Sequence, residues 1–132
     1  MKANHYRAIT LIMALAISAP HISQAQTLSS GEIIYVRECA KCHQIGEGAQ
    51  NRVGPQLNQL FGRKAGSLPD FDHYSEAFAK ADFIWTPDLF RAFIKDPKNV
   101  VAGTMQIYNG LQNDDEISAL IEFLKNPTTD PK

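Results

Sequence analysis

The sequence predicts an all-α domain of short helices. Helix-start signals recur along it, each followed by apolar residues at helical spacing: Ser29 with Glu32, Thr86 with Pro87, and Asn113 with Glu116. No stretch alternates polar and apolar residues as a half-buried strand does. A third feature decides what the helices surround. The only two cysteines among 132 residues lie in Cys39-Ala40-Lys41-Cys42-His43. The length fits one domain.

That pentapeptide is the attachment sequence for c-type haem. Residues three apart share a face of a helical turn, so both sulfurs can form thioethers with the two vinyl groups of one haem. His43 follows at once and ligates the iron from the proximal side. A redox dithiol needs no adjacent imidazole, and a structural zinc site needs a second ligand pair that the chain lacks. The cofactor expected is therefore one haem c, bound through Cys39 and Cys42. A largely apolar haem would fill a core that so short a chain cannot fill alone.

Residues 1–25 have the composition of a secretory signal. Lys2 and Arg7 charge its start, Ile9 to Ile17 is apolar, and Ser23-Gln24-Ala25 offers small residues for cleavage before Gln26. The apolar run is shorter than the ~20 residues of a membrane span. Domain boundaries of 1–25 (signal) and 26–132 follow. Without Lys2 and Arg7 the formal net charge falls from −1 to −3, which argues against nucleic acid as a partner. Export, paired cysteines and the adjacent His point to the periplasm or an equivalent compartment.

After a polar lead, a helix is expected from Gly31 to Cys39. Gly31 and Tyr35 lie four apart on one face, and a glycine there suits close approach to another helix. Residues 44–55 carry Gly46, Gly48, Asn51, Gly54 and Pro55 and read as loop. Pro55 has no N–H, so its surroundings offer carbonyls, the acceptor a ligating His usually uses for its other N–H. One helical turn is expected over Leu57 to Phe61, and a short helix over Tyr74 to Lys80. Thr86 caps a helix that starts at Pro87-Asp88 and runs to Lys95, with Pro97 ending it. Residues 98–112 read as loop. The last helix opens at Asn113, loads its first turn with Asp114, Asp115 and Glu116, presents Ile117, Leu120, Ile121, Phe123 and Leu124 on one face, and stops at Asn126-Pro127. The tail from Thr128 is expected to fray.

From Gly31 to Leu124 the chain resembles the class I soluble cytochromes c. The likeness rests on the haem motif, Gly54-Pro55, Leu60-Phe61-Gly62-Arg63-Lys64, Trp85, Asp96-Pro97-Lys98, Gly103-Thr104 and the last helix. It implies short helices wrapped around one covalently bound haem. Gly31 and Tyr35 would cross Leu120 and Phe123, and Pro55 would give its carbonyl to His43. Arg63, Tyr74 and Trp85 would sit by the haem propionates, whose buried charge needs donors.

The chain departs from that family at the second axial ligand. Members carry Gly-Thr-Lys-Met, and the Met sulfur binds iron. Here the run is Gly103-Thr104-Met105-Gln106, and the flanks Asp96-Pro97-Lys98 and Ile107-Tyr108-Asn109-Gly110 match without a gap. Register puts Gln106 at the ligand position. Ligand softness favours Met105, the only Met after residue 25, through a one-residue shift. An open site, or a donor such as Lys98 or His73, is the third alternative. The third-helix Tyr that the family sets against its Met is Phe93 here, so a hydroxyl is missing as well.

Two functions compete. A soluble periplasmic electron carrier between respiratory partners would use Lys41, Lys64, Lys95 and Lys98 to steer brief docking at a reductase and at a terminal oxidase or reductase, as a monomer and without catalysing bond chemistry. A haem protein with an exchangeable distal site would bind a gas or act as a weak peroxidase. The family likeness favours the carrier.

Overall fold

The computed structural model describes residues 28–127; the predicted signal segment, its cleavage point and the tail lie outside them. The described residues form five helices in the order α1 (Ser30–Glu38), α2 (Glu76–Ala79), α3 (Pro87–Lys95), α4 (Pro97–Val100) and α5 (Asp114–Lys125). Among them there is no strand, only an isolated antiparallel bridge between Lys64 and Ile84. No helix among these residues is long and apolar enough to cross a membrane.

The predicted caps form. The Ser29 side chain accepts from the Glu32 N–H, Thr86 from Leu89, and Asn113 from Asp115 and Glu116. Each satisfies a backbone donor that the first turn leaves without a partner. Asn113→Ala is expected to cost about 1 kcal/mol, read as a lower urea midpoint with an unchanged slope.

α1 and α5 pack face to face. A Cβ on Gly31 would lie 2.1 Å from the Ala119 carbonyl oxygen and 2.7 Å from the Phe123 Cβ. The Tyr35 and Phe123 rings stack at a tilt, centroids 5.3 Å apart. The expected crossing is therefore present, with the Ala119 backbone as the surface that meets Gly31. Ile117 and Leu120 are wholly buried and Leu124 nearly so. Burial of each such side chain contributes about 1.5–3 kcal/mol.

Three expectations need correction. Leu57 to Phe61 does not form a helical turn. Gln59 adopts φ 52, the left-handed region that breaks a right-handed turn. Neighbouring Asn58 is committed to Gly46, accepting from its N–H at 2.7 Å and donating to its carbonyl at 2.9 Å. The short helix over Tyr74–Lys80 shrinks to Glu76–Ala79 because Ser75 caps it, which leaves Tyr74 outside, where it borders the central cavity. Pro97 ends α3 and also starts α4: the Asp96 carboxylate accepts from the Asn99 N–H at 3.2 Å, and Pro97 occupies the first helical position, where it needs no donor.

Candidate haem site

The peptide Cys39 to His43 continues from the end of α1 in tight turns. Cys39 and Ala40 N–H both reach the Tyr35 carbonyl, and Cys42 and His43 N–H both reach the Cys39 carbonyl at 3.0 Å. The Tyr35 hydroxyl donates to the His43 carbonyl at 2.8 Å. The motif is thus fixed to the same helix that α5 braces.

Cys39, Cys42 and His43 all border one cavity of about 320 Å³. Pro55, Arg63, Tyr74, Trp85, Met105 and Gln106 border it as well. The pentapeptide reaches it through the 44–57 loop. Gly54 N–H donates to the Cys42 carbonyl at 2.9 Å and Leu57 N–H to Gln44 at 2.8 Å. A Cβ on Gly54 would lie 2.2 Å from His43 Cε1, so only glycine leaves room for the imidazole.

His43 Nδ1 lies 2.7 Å from the Pro55 carbonyl oxygen. A carbonyl only accepts, so Nδ1 carries the proton and Nε2 keeps its lone pair. Burial pulls the His43 pKa below its ordinary value, the Pro55 bond opposes this, and the Arg63 charge adds to the lowering. The imidazole is therefore neutral near pH 7, the form that binds iron.

The opposite end of the wall is aromatic. Trp85 is buried and meets Phe78, Phe83, Phe90 and Phe93 with centroids 5.0–6.4 Å apart. Its position is set by the Lys64–Ile84 bridge, where the Gly62 N–H donates to Trp85 O and the Trp85 N–H to Arg63 O, both at 2.9 Å. The same bridge turns Arg63 toward the cavity. Its guanidinium donates only to backbone carbonyls, Gln56 at 3.1 Å and Asn58 at 3.4 Å. Burial lowers the Arg63 pKa, and nearby Tyr74 opposes that. A half-buried cation with neutral acceptors fits an anionic group arriving in the cavity.

These features fit haem c: two sulfurs and a tautomer-fixed imidazole bordering one cavity, a largely aromatic surround, and a cation for a propionate. Among the described residues no three His, Cys, Asp or Glu side chains gather around a single point, so a zinc site has no ligand set.

On the distal side, Phe93 is buried against Phe78 and Trp85 and borders the cavity. Met105 is 66% exposed, whereas Gln106 is partly covered. Of the two remote donors considered, His73 borders the cavity and Lys98 does not. Tyr108 was missed. It borders the cavity, and burial first, then the Glu38 carboxylate, push its hydroxyl above the ordinary value, so it keeps its proton. The sequence carries only one signal for it, an aromatic with a polar tip beside the ligand run.

Comparison with known proteins agrees with this geometry. Residues 26–124 match the family described as "Cytochrome C oxidase, cbb3-type, subunit III". The chain is 38% identical over 122 residues to cytochrome c2 of Blastochloris viridis, covering 91% of this chain and 94% of that one. It is 43% identical over 106 residues to cytochrome c2 of Afifella marina, with 78% and 84% covered. Similarity extends to cytochrome c of Sesamum indicum, 37% over 101 residues, with 76% and 90% covered. The chain belongs to the class I cytochrome c family, electron carriers with one covalent haem c.

Proposed function

We propose that the chain is an exported, periplasmic carrier of single electrons between respiratory redox proteins. In this reading residues 1–25 are removed near Ala25/Gln26 and residues 26–132 form the working domain. The observation that carries it is the shared cavity wall of Cys39, Cys42 and His43, with the His43 tautomer fixed by Pro55.

When bound, haem supplies the ferric–ferrous couple. The chain's part is to hold and tune it. Cys39 and Cys42 would anchor the macrocycle, and His43 would offer Nε2 to the iron. The Pro55 carbonyl raises the basicity of that imidazole by accepting a hydrogen bond from its Nδ1–H. Arg63, Tyr74 and Trp85 would hold the propionates. The segment Thr104 to Gln106, which borders the cavity, would supply the second axial ligand, with Met105 and Gln106 as the candidates. Rigid walls of interlocked aromatics keep the geometry nearly the same in both oxidation states, which is what fast single-electron transfer needs.

The proposed partners are a cytochrome reductase and a terminal oxidase or reductase, met in brief contacts at membrane complexes by a monomer. Of the four lysines considered for docking, Lys64 pairs with Asp82 at 2.8 Å and Lys95 with Asp114 at 2.7 Å. Lys41 and Lys98 are exposed and have no ion pair among the described residues, so steering by charge falls mainly on those two.

The test is expression with its leader in a bacterium that matures c-type haem. Haem should stay with the chain after denaturation, the periplasmic form should begin at Gln26, and a mediated titration should give one reversible single-electron wave. A chain that loses its haem on denaturation, or stays in the cytoplasm, overturns the reading.

A further inference from the structure

The segment between α4 and α5 shows exposure that alternates residue by residue. Thr104, Gln106 and Tyr108 are partly covered, while Met105, Ile107 and Asn109 are exposed. Successive side chains of an extended chain point to opposite sides, so a strap laid across a cavity must show this period. Met105 is 66% exposed and Ile107 fully so. Met105 and Gln106 both border the cavity, and of the two the Gln106 side chain is the more covered and Met105 the more exposed.

Two further observations concern the same strap. The Tyr108 hydroxyl is closed off from solvent and makes no hydrogen bond of ordinary geometry, the only such side-chain atom among the described residues; the Glu38 carboxylate is the one protein acceptor close enough to act on it. Buried hydroxyls are nearly always bonded, so one left without such a bond beside a cavity marks a place for an acceptor. The strap is also weakly tied. From Met105 to Gly110 the one backbone hydrogen bond among the described residues runs from the Gln106 N–H to the Thr104 hydroxyl at 3.2 Å. Its fixed points lie outside, Thr104 N–H on Val101 and Leu111 N–H on Ile94. Segments so held open locally at small free-energy cost.

We propose that Gln106, not Met105, faces the sixth iron position, and that its amide oxygen gives way on reduction to a small neutral diatomic such as carbon monoxide or nitric oxide, with Tyr108 as the hydrogen-bond donor beside it. The inference rests on the haem reading above. An amide oxygen is a hard ligand that suits ferric iron and holds ferrous iron poorly, whereas ferrous haem takes π-accepting diatomics readily. The exchange gives up one dative bond and makes another. No electron or proton moves in it, and the reducing electron is the one the carrier takes from its donor. The Tyr108 hydroxyl, which makes no hydrogen bond of ordinary geometry within the protein, meets the oxygen end of the incoming molecule.

Carbon monoxide added to the purified, reduced holoprotein is the probe, followed by visible absorption and by the C–O stretch in the infrared. The wild type should bind at once. Gln106→Met should lose that binding and gain the weak far-red sulfur-to-iron band in the ferric state. Gln106→Ala should turn the ferric iron high-spin, while Met105→Ala leaves both oxidation states unchanged. Tyr108→Phe should raise the C–O stretching frequency and release carbon monoxide about tenfold faster, the worth of one hydrogen bond. A reduced wild type that refuses carbon monoxide, or a ferric spectrum altered by Met105→Ala and not by Gln106→Ala, overturns the inference. An unmoved stretch in Tyr108→Phe removes Tyr108 from it. Haem content, measured first as the pyridine haemochrome, separates the two failures: without covalent haem the carrier reading falls, whereas haem present and closed to carbon monoxide sinks the exchangeable site alone.

Discussion

The double substitution Cys39→Ala, Cys42→Ala is expected to yield a chain with no covalent haem and no stable fold at room temperature. The reason lies in the volume at the centre. The space bounded by Trp85, Phe90, Phe93 and the haem motif is about 320 Å³, and without the cofactor its apolar lining loses its packing partners and meets water instead. What remains without the cofactor is the α1–α5 pair, too little to hold α2, α3 and the long loops in place. Cys39 adds a kinetic point. In the closed fold it is buried, and burial first, then Glu38 and Cys42, push its thiol up to about 12. A thiol so placed is a poor nucleophile. The check is far-ultraviolet circular dichroism beside a haem stain of the denatured chain. Native helicity in a haem-free double variant would mean that helix packing alone sustains the domain. Single variants, with one thioether left, should fall between.

The parts of this molecule written in local chemistry were legible from sequence. Caps at Ser29, Thr86 and Asn113 are short-range hydrogen bonds, and the residues that make them are spelled out in order. The spacing of Cys39, Cys42 and His43 reflects the reach of one turn. The Pro55 carbonyl followed from what a ligating imidazole needs. Gly31 was legible because a glycine inside a helix asks for a second helix, and the last helix supplied it. What local chemistry does not encode was missed. Gln59 adopts a left-handed conformation because Asn58 is pulled toward Gly46, twelve residues earlier. α4 was hidden because a proline that ends one helix is the same residue that begins another. The inward side of the distal strap depends on where an extended segment enters its span. A shift of one residue exchanges Met105 for Gln106, so register and ligand softness pointed to different residues and the choice stayed open.

Gly31→Leu should be the most damaging single change away from the cavity. The Cβ alone would come within 2.1 Å of the Ala119 carbonyl oxygen and 2.8 Å of its carbon. Backbone cannot rotate aside as a flexible side-chain end can, so α1 and α5 must separate. Separation uncovers Ile117 and Leu120, now wholly buried, and parts the Tyr35 and Phe123 rings. Overpacking of a closed core costs about 1–3 kcal/mol even when neighbours can adjust, and loss of a buried aliphatic contact adds about 2–5 kcal/mol. A total near 4 kcal/mol or more is expected. Gly31→Ala, with one methyl and a better helix residue, should cost less, about 2 kcal/mol, since roughly 1 kcal/mol of helix propensity offsets the clash. The damage should also reach the haem. α1 ends at Cys39, and the Tyr35 hydroxyl holds the His43 carbonyl, so displacement of α1 moves the proximal ligand with it. Urea unfolding of the holoprotein measures the first effect and the ferric–ferrous potential the second. A Gly31→Ala protein as stable as the wild type would place the helices farther apart than 2.1 Å from Cβ to oxygen allows. A destabilised one with an unmoved potential would separate the brace from the ligand, leaving the hydrogen bonds of the 44–57 loop as what holds His43.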